Sequence, residues 1–249
     1  MKILLTNDDG FDAPGITILA DELKKYGHDI IIAAPLKQQS AKSHSITLFK
    51  PMKVIEKSKQ CYAISGTPAD CMILASQLIV DNSIDLVISG INAGQNMGED
   101  VLYSGTVAAA IEAMFLGHKS IAISLAAYKK QKFITAAKYL CEMLENGIHK
   151  EIVKNEVLNI NVPNLDYDEL KGTKVTCIGH RIYYNFIREE KDDNGEPVYL
   201  IGGDEPHWTE IENSDANAVK NGFVSITPIA PDFTKKNSFG RISNWIEGQ

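Results

Sequence analysis

Short apolar runs alternate with amphipathic stretches along the first 165 residues of the chain. The runs lack alternating polar positions, which is typical of strands buried on both faces of a parallel sheet. The stretches between them repeat apolar residues every three or four positions, as helices do. This order predicts an α/β fold with a mostly parallel sheet and helices on both of its faces. The predicted strands are residues 3–5, 29–35, 84–89, 121–124 and 157–162. The main helices are one that begins at residues 13–15 and ends at Gly27, and those at residues 107–115 and 133–144.

The first predicted strand leads directly into two adjacent carboxylates, Asp8 and Asp9, followed by Gly10. In open α/β sheets, ligands bind outside the carboxyl ends of the strands. Adjacent carboxylates repel each other unless a cation lies between them. Consecutive strand side chains point to opposite faces, so both acids reach one ion only if the chain turns after Asp8, as Gly10 permits. The alternative is a polar turn without a ligand, because Asp-Gly is a common turn dipeptide.

Three further polar clusters are expected at the same edge of the sheet. Residues 40–44 form a polar loop after the second apolar run, and residues 92–96 follow the third. Residues 104–106 begin a helix, where unpaired N–H groups and the helix dipole favour an anion. The alternative is that Ser104 and Thr106 only cap this helix. The glycine spacing fits neither a dinucleotide-binding fingerprint nor a P-loop, so neither kind of site is expected.

These clusters offer mainly oxygen ligands, and His44 is their one nitrogen ligand. Oxygen donors favour hard cations, so we expect one Mg²⁺ or Mn²⁺ per subunit, with Ca²⁺ as a further option. Zinc fits less well, because the cysteines form no C-x-x-C pair and show no zinc spacing. The four cysteines are expected to be reduced thiols, as in a cytoplasmic protein. The cysteines are Cys61, Cys71, Cys141 and Cys177.

Charge and hydropathy argue against two classes of partner. The 249-residue chain has a net charge of −7, which disfavours binding to a nucleic acid polymer. No apolar run approaches transmembrane length and the first strand leaves no room for a signal peptide, so no membrane partner is expected. A small phosphorylated ligand remains compatible, because a cation supplies positive charge locally. Arginine occurs only at Arg181, Arg188 and Arg241, so the first 180 residues must bind phosphate without it.

Residues 67–70 (Thr-Pro-Ala-Asp) have the form of a capping box before an apolar stripe that ends at Leu78. Asp70 is therefore expected to have a structural role rather than a catalytic one. Short β-like pieces are predicted at residues 46–48, 54–55 and 62–64.

Beyond residue 165, short predicted strands replace the alternation of strand and helix. Residues 191–195 are typical of a hairpin tip, and a lone hairpin is marginal unless it packs on something. The tail, residues 230–249, carries scattered apolar side chains. We expect one domain, residues 1–249, with a core over residues 1–165 and a C-terminal region, residues 166–249, whose hairpin and tail contact another subunit. The predicted strands of this region are residues 175–178, 183–187, 198–201 and 224–227.

Several motifs, in one order, resemble the SurE-type survival-protein phosphatases, a family of nucleoside-monophosphate phosphatases. A weaker match at Gly222-Phe-Val-Ser-Ile-Thr-Pro228 extends the resemblance over almost the whole chain. The main motifs are Ile3-Leu-Leu-Thr-Asn-Asp-Asp-Gly-Phe-Asp-Ala-Pro-Gly15, Ala34-Pro35 with Ser40-Ala41 and His44-Ser-Ile46, Gly66-Thr-Pro-Ala-Asp70, Ser89-Gly-Ile-Asn-Ala-Gly94, and Asn96-Met-Gly98 with Asp100-Val-Leu-Tyr-Ser-Gly-Thr-Val-Ala108.

The resemblance implies a Rossmann-like core and the hydrolysis of nucleoside 5′-monophosphates, with 3′-monophosphates and short polyphosphate as further candidate substrates. It implies that the cation is held by Asp8, Asp9, Ser40 and Asn92, and that subunits join through the C-terminal region as a homodimer or homotetramer. Ala93 and Met97 depart from the family pattern, and Ala93 leaves the substrate preference open. His44 is a candidate for protonating the leaving oxygen, or is only a hydrogen-bonding partner. The candidate catalytic residues are Asp8, Asp9 and Asn96, and the candidate phosphate-binding residues are Ser40, His44, Asn96, Ser104, Gly105 and Thr106.

Two rival functions remain to be weighed. An enzyme that forms an aspartyl-phosphate needs its two acids spaced as D-x-D, whereas Asp8 and Asp9 are adjacent. A non-catalytic nucleotide or anion sensor on the same fold would bind its ligand without turnover, and fold analogy alone does not separate a sensor from an enzyme.

Overall fold

The structure is a computed structural model that describes residues 1–80, 84–182, 187–202 and 207–248. Its strands are β1 (Lys2–Thr6), β2 (Asp29–Pro35), β3 (Val54–Ser58), β4 (Cys61–Ile64), β5 (Leu86–Ala93), β6 (Ser120–Ala126), β7 (Val157–Pro163), β8 (Thr173–Val175), β9 (Arg181–Ile182), β10 (Ile187–Lys191), β11 (Pro197–Ile201), β12 (His207–Trp208) and β13 (Val224–Ile229). Its helices are α1 (Pro14–Lys25), α2 (Pro68–Leu74), α3 (Gly105–Phe115), α4 (Phe133–Glu145), α5 (Ile148–Glu151), α6 (Asp215–Lys220) and α7 (Phe239–Glu247).

A nine-stranded sheet in the order β3-β4-β2-β1-β5-β6-β7-β13-β8 forms the centre of the fold. Neighbouring strands pair in parallel except β3 with β4 and β7 with β13. The α/β fold with a mostly parallel sheet, as the sequence predicts, is confirmed.

The strand order reverses at β1, which pairs with β2 on one side and with β5 on the other. Ligand crevices in doubly wound sheets open at the carboxyl ends of the strands at such a reversal. Thr6 at the end of β1 pairs with Ser89 of β5, so the acidic residues after β1 lie beside the last residues of β5. The register of β5 against β6 shifts between Ser89 and Asn92. Irregularities of this kind change the direction of a side chain at the end of a strand.

The apolar residues of β1 are divided between two hydrophobic cores. Ile3 and Leu5 pack in the core that contains Leu19 of α1 and Leu140 of α4. Leu4 packs on the other face, in a second core with residues of α2 and α3. The strand is therefore buried on both faces, which explains its uninterrupted apolar sequence.

The predicted capping box at the start of α2 is present, with Thr67 as the cap and Asp70 as its partner. The Asp70 carboxylate also accepts hydrogen bonds from the backbone N–H and the hydroxyl of Thr47, at 2.8 and 2.7 Å. This confirms the structural role of Asp70. The same hydrogen bonds hold Thr47 in a loop. The prediction of a β-like piece at residues 46–48 is therefore wrong.

Two other local predictions differ from the structure. Leu78 is 68% exposed, because α2 is followed by a π-helical turn over Ala75–Ile79 that rotates the apolar stripe away from the core. The strand predicted at residues 175–178 ends at Val175. Of the strand predicted at residues 183–187, residues 183–186 lie outside the described parts of the chain, and Ile187 begins β10.

The C-terminal region leaves the sheet after β8 and returns before α6. The two ends of this excursion are joined at Cys177, whose N–H donates to the carbonyl oxygen of Asn213 at 3.0 Å and whose carbonyl oxygen accepts from the N–H of Asp215 at 2.9 Å. Within it, β10 and β11 form the predicted antiparallel hairpin. Among the residues described, no helix combines the length and apolar character needed to cross a membrane.

Candidate active site

A turn after β1 brings the two adjacent carboxylates into one cavity of about 490 Å³. The side chain of Asn7 stabilises this turn, since its amide nitrogen donates to the carbonyl oxygen of Gly10 at 2.8 Å and its oxygen accepts from the Gly10 N–H at 3.1 Å. The turn predicted from Gly10 is therefore present, and Asp8 and Asp9 do not point to opposite faces of the sheet. The cavity is also lined by the predicted site residues Ser40, Asn92, Asn96 and Ser104.

The first turn of α3 packs directly against Asp8. A β-carbon added at Gly105 would lie 2.8 Å from the β-carbon of Asp8 and 3.1 Å from its Oδ2 atom, so only glycine allows this approach. The hydroxyl of the fully buried Thr106 donates to Oδ1 of Asp8. Ser104 caps the helix by accepting the N–H of Val107 at 3.0 Å. The acids and the beginning of α3 therefore belong to one site.

Burial makes the negative charges of this site costly. Burial raises the pKa of Asp8 to about 6, the hydrogen bond from Thr106 opposes this rise, and the charge of Asp9 adds to it. The pKa of Asp9 is also raised, mainly by burial, and the hydrogen bonds from the Ala93 N–H and the Gln38 amide oppose the rise. Two ionised acids here need a compensating positive charge.

Hydrogen bonds connect Asp9 with the loops that follow β2 and β5. The Gln38 amide nitrogen lies 3.4 Å from Oδ1 of Asp9 and 3.0 Å from Oγ of Ser40, so it bridges these two oxygens. Oδ2 of Asp9 accepts from the N–H of Ala93 at 3.2 Å. The Asn92 amide nitrogen donates to the carbonyl oxygen of Gly94 at 2.8 Å, which leaves the amide oxygen of Asn92 as its donor atom for a cation.

A frame of buried amides fixes Asn96. Its side-chain nitrogen donates to Oγ of Ser124 at 2.8 Å, and its N–H donates to Oδ1 of Asn161 at 2.8 Å. Its carbonyl oxygen accepts from the side chains of Asn159 and Asn161 at 2.9 and 3.0 Å. Both partner amides are on β7, which explains the polar positions in that otherwise apolar strand.

His44 lies outside the acidic cavity. Its Nε2 atom is 2.8 Å from Oε2 of Glu112, and its ring stacks on Phe115 with centroids 6.0 Å apart. Together with Ser104, it lines a neighbouring, mostly apolar cavity of about 560 Å³. Only the fold brings His44 and Glu112 together, because Glu112 is 68 positions further along the chain.

Several residues that line the acidic cavity are not predicted from the sequence. Arg181 reaches the cavity from the start of the C-terminal excursion. Its guanidinium pairs with Asp100, and its backbone N–H donates to Oε2 of Glu99 at 2.8 Å. Tyr103 and Tyr128 add aromatic rings to the same cavity. The scarcity of arginine is a signal that could have drawn attention to Arg181, but only the fold places it in the cavity.

The donor set fits a hard divalent cation. Asp8, Asp9, Ser40 and Asn92 contribute two carboxylates, a hydroxyl and an amide oxygen to one cavity, and such ligands suit Mg²⁺, Mn²⁺ or Ca²⁺. Within the described parts of the chain, no group of three or more His, Cys, Asp or Glu side chains is placed to hold a metal. The neutral oxygens of Ser40 and Asn92 are therefore needed to complete the set.

Comparisons with known proteins relate the whole chain to one family. The family model described as "Survival protein SurE" matches residues 3–185. A protein of Haemophilus influenzae (strain PittGG) named "5'-nucleotidase SurE" is 44% identical over 247 residues, which are 99% of this chain and 98% of that protein. A protein of the same name from Mannheimia succiniciproducens is 44% identical over 249 residues and the full length of both chains.

A solved structure has a closely similar fold. The crystal structure of a SurE protein from Aquifex aeolicus superposes with a TM-score of 0.88 at 38% sequence identity. The match covers 99% of this chain and 100% of that one.

Proposed function

The chain belongs to the survival protein SurE family, and from that premise we propose that it hydrolyses nucleoside 5′-monophosphates to nucleoside and phosphate. We further propose that it does so with one divalent cation held by Asp8, Asp9, Ser40 and Asn92. The observation that carries the proposal is the contact between Asp8 and the beginning of α3, at Gly105 and Thr106. A cation site and an anion-binding helix terminus that touch are suited to a phosphate ester.

Hydrolysis of a phosphate ester requires mostly positioning and charge stabilisation, because the transition state is loose. A cation held by these residues would supply Lewis-acid charge at the phosphoryl group. Ser104 accepts the N–H of Val107, so its own hydroxyl hydrogen remains available to a phosphoryl oxygen in the cavity. Asn96 uses one side-chain N–H on Ser124, and its second can contact another phosphoryl oxygen.

The two acids have different tasks in this proposal. Asp8 is buried and held by Thr106, so it serves as a fixed ligand. Asp9 is less buried and would orient the attacking water. Thr106 then acts through Asp8 instead of binding phosphate itself. We assign no proton transfer to His44, because it pairs with Glu112 beside the neighbouring apolar cavity.

The test is phosphate release from a panel of nucleoside 5′- and 3′-monophosphates and short polyphosphate, with Mn²⁺, with Mg²⁺ and with EDTA. We expect cation-dependent release from the 5′-monophosphates, and a loss of more than about 100-fold in Asp8→Asn. Asp21→Asn, an exposed acid on α1, is the matched control and should retain activity. Nucleotide binding by the wild type without any release would instead favour a sensor.

We also propose that the protein forms homodimers or homotetramers through its C-terminal region. Helix α7 has no buried residue, and Phe239, Ile242 and Ile246 recur on one face at helical spacing beside Trp245. An exposed apolar face of this kind is typical of a protein contact. The cytoplasm is the proposed location, since all four cysteines are unpaired.

A further inference from the structure

Tyr128 is an exposed aromatic residue in the wall of the catalytic cavity. It follows β6, and 61% of its surface is open to solvent. A single exposed tyrosine needs no explanation on a protein surface. This one lines the same cavity as Asp8 and Asp9, so its open ring surface is available to whatever the cavity binds.

Gly94 fixes the position of the Tyr128 ring. A β-carbon on Gly94 would lie 2.5 Å from Cε1 of Tyr128, so the ring packs where any other residue would place its side chain. Gly94 also has a φ of +129°, a conformation that favours glycine. The loop holding Tyr128 is further tied by the Gln131 amide, which donates to the Tyr128 carbonyl oxygen at 2.9 Å.

The ring lies close to the proposed phosphate site without being part of it. Asp9 accepts the N–H of Ala93, and Gly94 is the next residue, so the carboxylate and the ring edge are within roughly 12 Å. Asp100 and Arg181 line the same cavity as the ring.

We propose that the exposed face of Tyr128 is the surface on which the nucleobase of the substrate stacks, with the phosphate at the acidic end of the cavity. This inference rests on the proposed nucleotidase function and adds the site of base recognition to it. A cavity of about 490 Å³ is within the usual range of roughly 300–1,000 Å³ for small-molecule sites. Stacking accepts every base, because all bases have a π-face. Tyr128 therefore favours nucleotides over phosphate esters that lack a base, without strong preference among the bases.

The test compares kcat/KM for adenosine 5′-monophosphate with kcat/KM for ribose 5-phosphate, which has the same ester and sugar but no base. Tyr128→Ala should lower the ratio of the two values about tenfold, as expected for the loss of one stacking contact. Tyr128→Phe keeps the ring and should retain at least half of the wild-type ratio. Tyr26→Ala, which removes a tyrosine outside the cavity, is the matched control and should leave the ratio unchanged.

The inference is overturned if Tyr128→Ala leaves the ratio unchanged, whether both kcat/KM values stay at the wild-type level or fall equally. A ratio that falls in Tyr103→Ala and not in Tyr128→Ala would move base stacking to the other tyrosine of the cavity. If the wild type releases phosphate from neither substrate with Mn²⁺ or Mg²⁺ present, the proposed nucleotidase function fails instead.

Discussion

Replacing Asp8 by asparagine should stabilise the protein when no divalent cation is present. Asp8 is 5% exposed, and its burial raises its pKa from 3.8 to about 6. At about 1.36 kcal/mol per pKa unit, ionised Asp8 destabilises the folded, cation-free protein by about 3 kcal/mol at pH 8. Asparagine removes the charge and keeps an oxygen that accepts the hydrogen bond from Thr106.

The pH dependence of this gain follows from the direction of the pKa change. A carboxyl with a raised pKa in the folded state binds its proton more tightly when the protein is folded. The resulting stability is fully present below 3.8 and is lost as the pH rises through about 6. The advantage of Asp8→Asn over the wild type should therefore be about 1 kcal/mol near pH 4.5 and about 3 kcal/mol above pH 7.

The assay is urea unfolding in EDTA, followed by tryptophan fluorescence at several pH values and one protein concentration. Asp21→Asn is the control, because an exposed acid should change the free energy of unfolding by less than about 0.5 kcal/mol. Mn²⁺ at a hundred times its Kd should stabilise the wild type by about 2.7 kcal/mol and affect Asp8→Asn much less. If Asp8→Asn is no more stable than the wild type in EDTA at pH 8, then burial does not make ionised Asp8 destabilising, contrary to the prediction.

Two other predictions concern α3 and α7. Gly105→Ala should weaken Mn²⁺ binding and lower kcat/KM at least tenfold, because the new β-carbon would lie 2.8 Å from that of Asp8. Gly240→Ala, where the β-carbon would meet open space, should change neither value, and normal Mn²⁺ affinity in Gly105→Ala would contradict the close packing. Trp245→Glu should reduce the mass measured by size-exclusion chromatography with light scattering, whereas Asn244→Glu should not. An unchanged mass in Trp245→Glu would mean that α7 is not an assembly contact.

The sequence predicts those parts of the fold that depend on residues close together in the chain. The apolar run of β1 is explained by burial of its two faces in different cores. The capping box of α2 is a contact between residues three positions apart, so the sequence alone shows it. The turn after Asp8 was likewise predictable, because Asn7 and Gly10 close it by themselves.

The errors and omissions arise from contacts between distant residues. The prediction at residues 46–48 fails because Asp70 binds Thr47 from 23 positions away. His44 is drawn out of the acidic cavity by Glu112, and Arg181 is brought into it beside Asp100, 81 positions earlier. No periodicity or motif encodes such pairs, so the sequence predicts the polar residues around the two acids but not Arg181 or the two tyrosines of the cavity.

The C-terminal excursion begins and ends beside Cys177, because backbone hydrogen bonds join that residue to Asn213 and Asp215. Arg181 lies four residues after Cys177 and lines the cavity, and the β10–β11 hairpin follows it along the chain. A partner that binds the β10–β11 hairpin would therefore contact the same excursion that supplies Arg181 to the proposed substrate cavity.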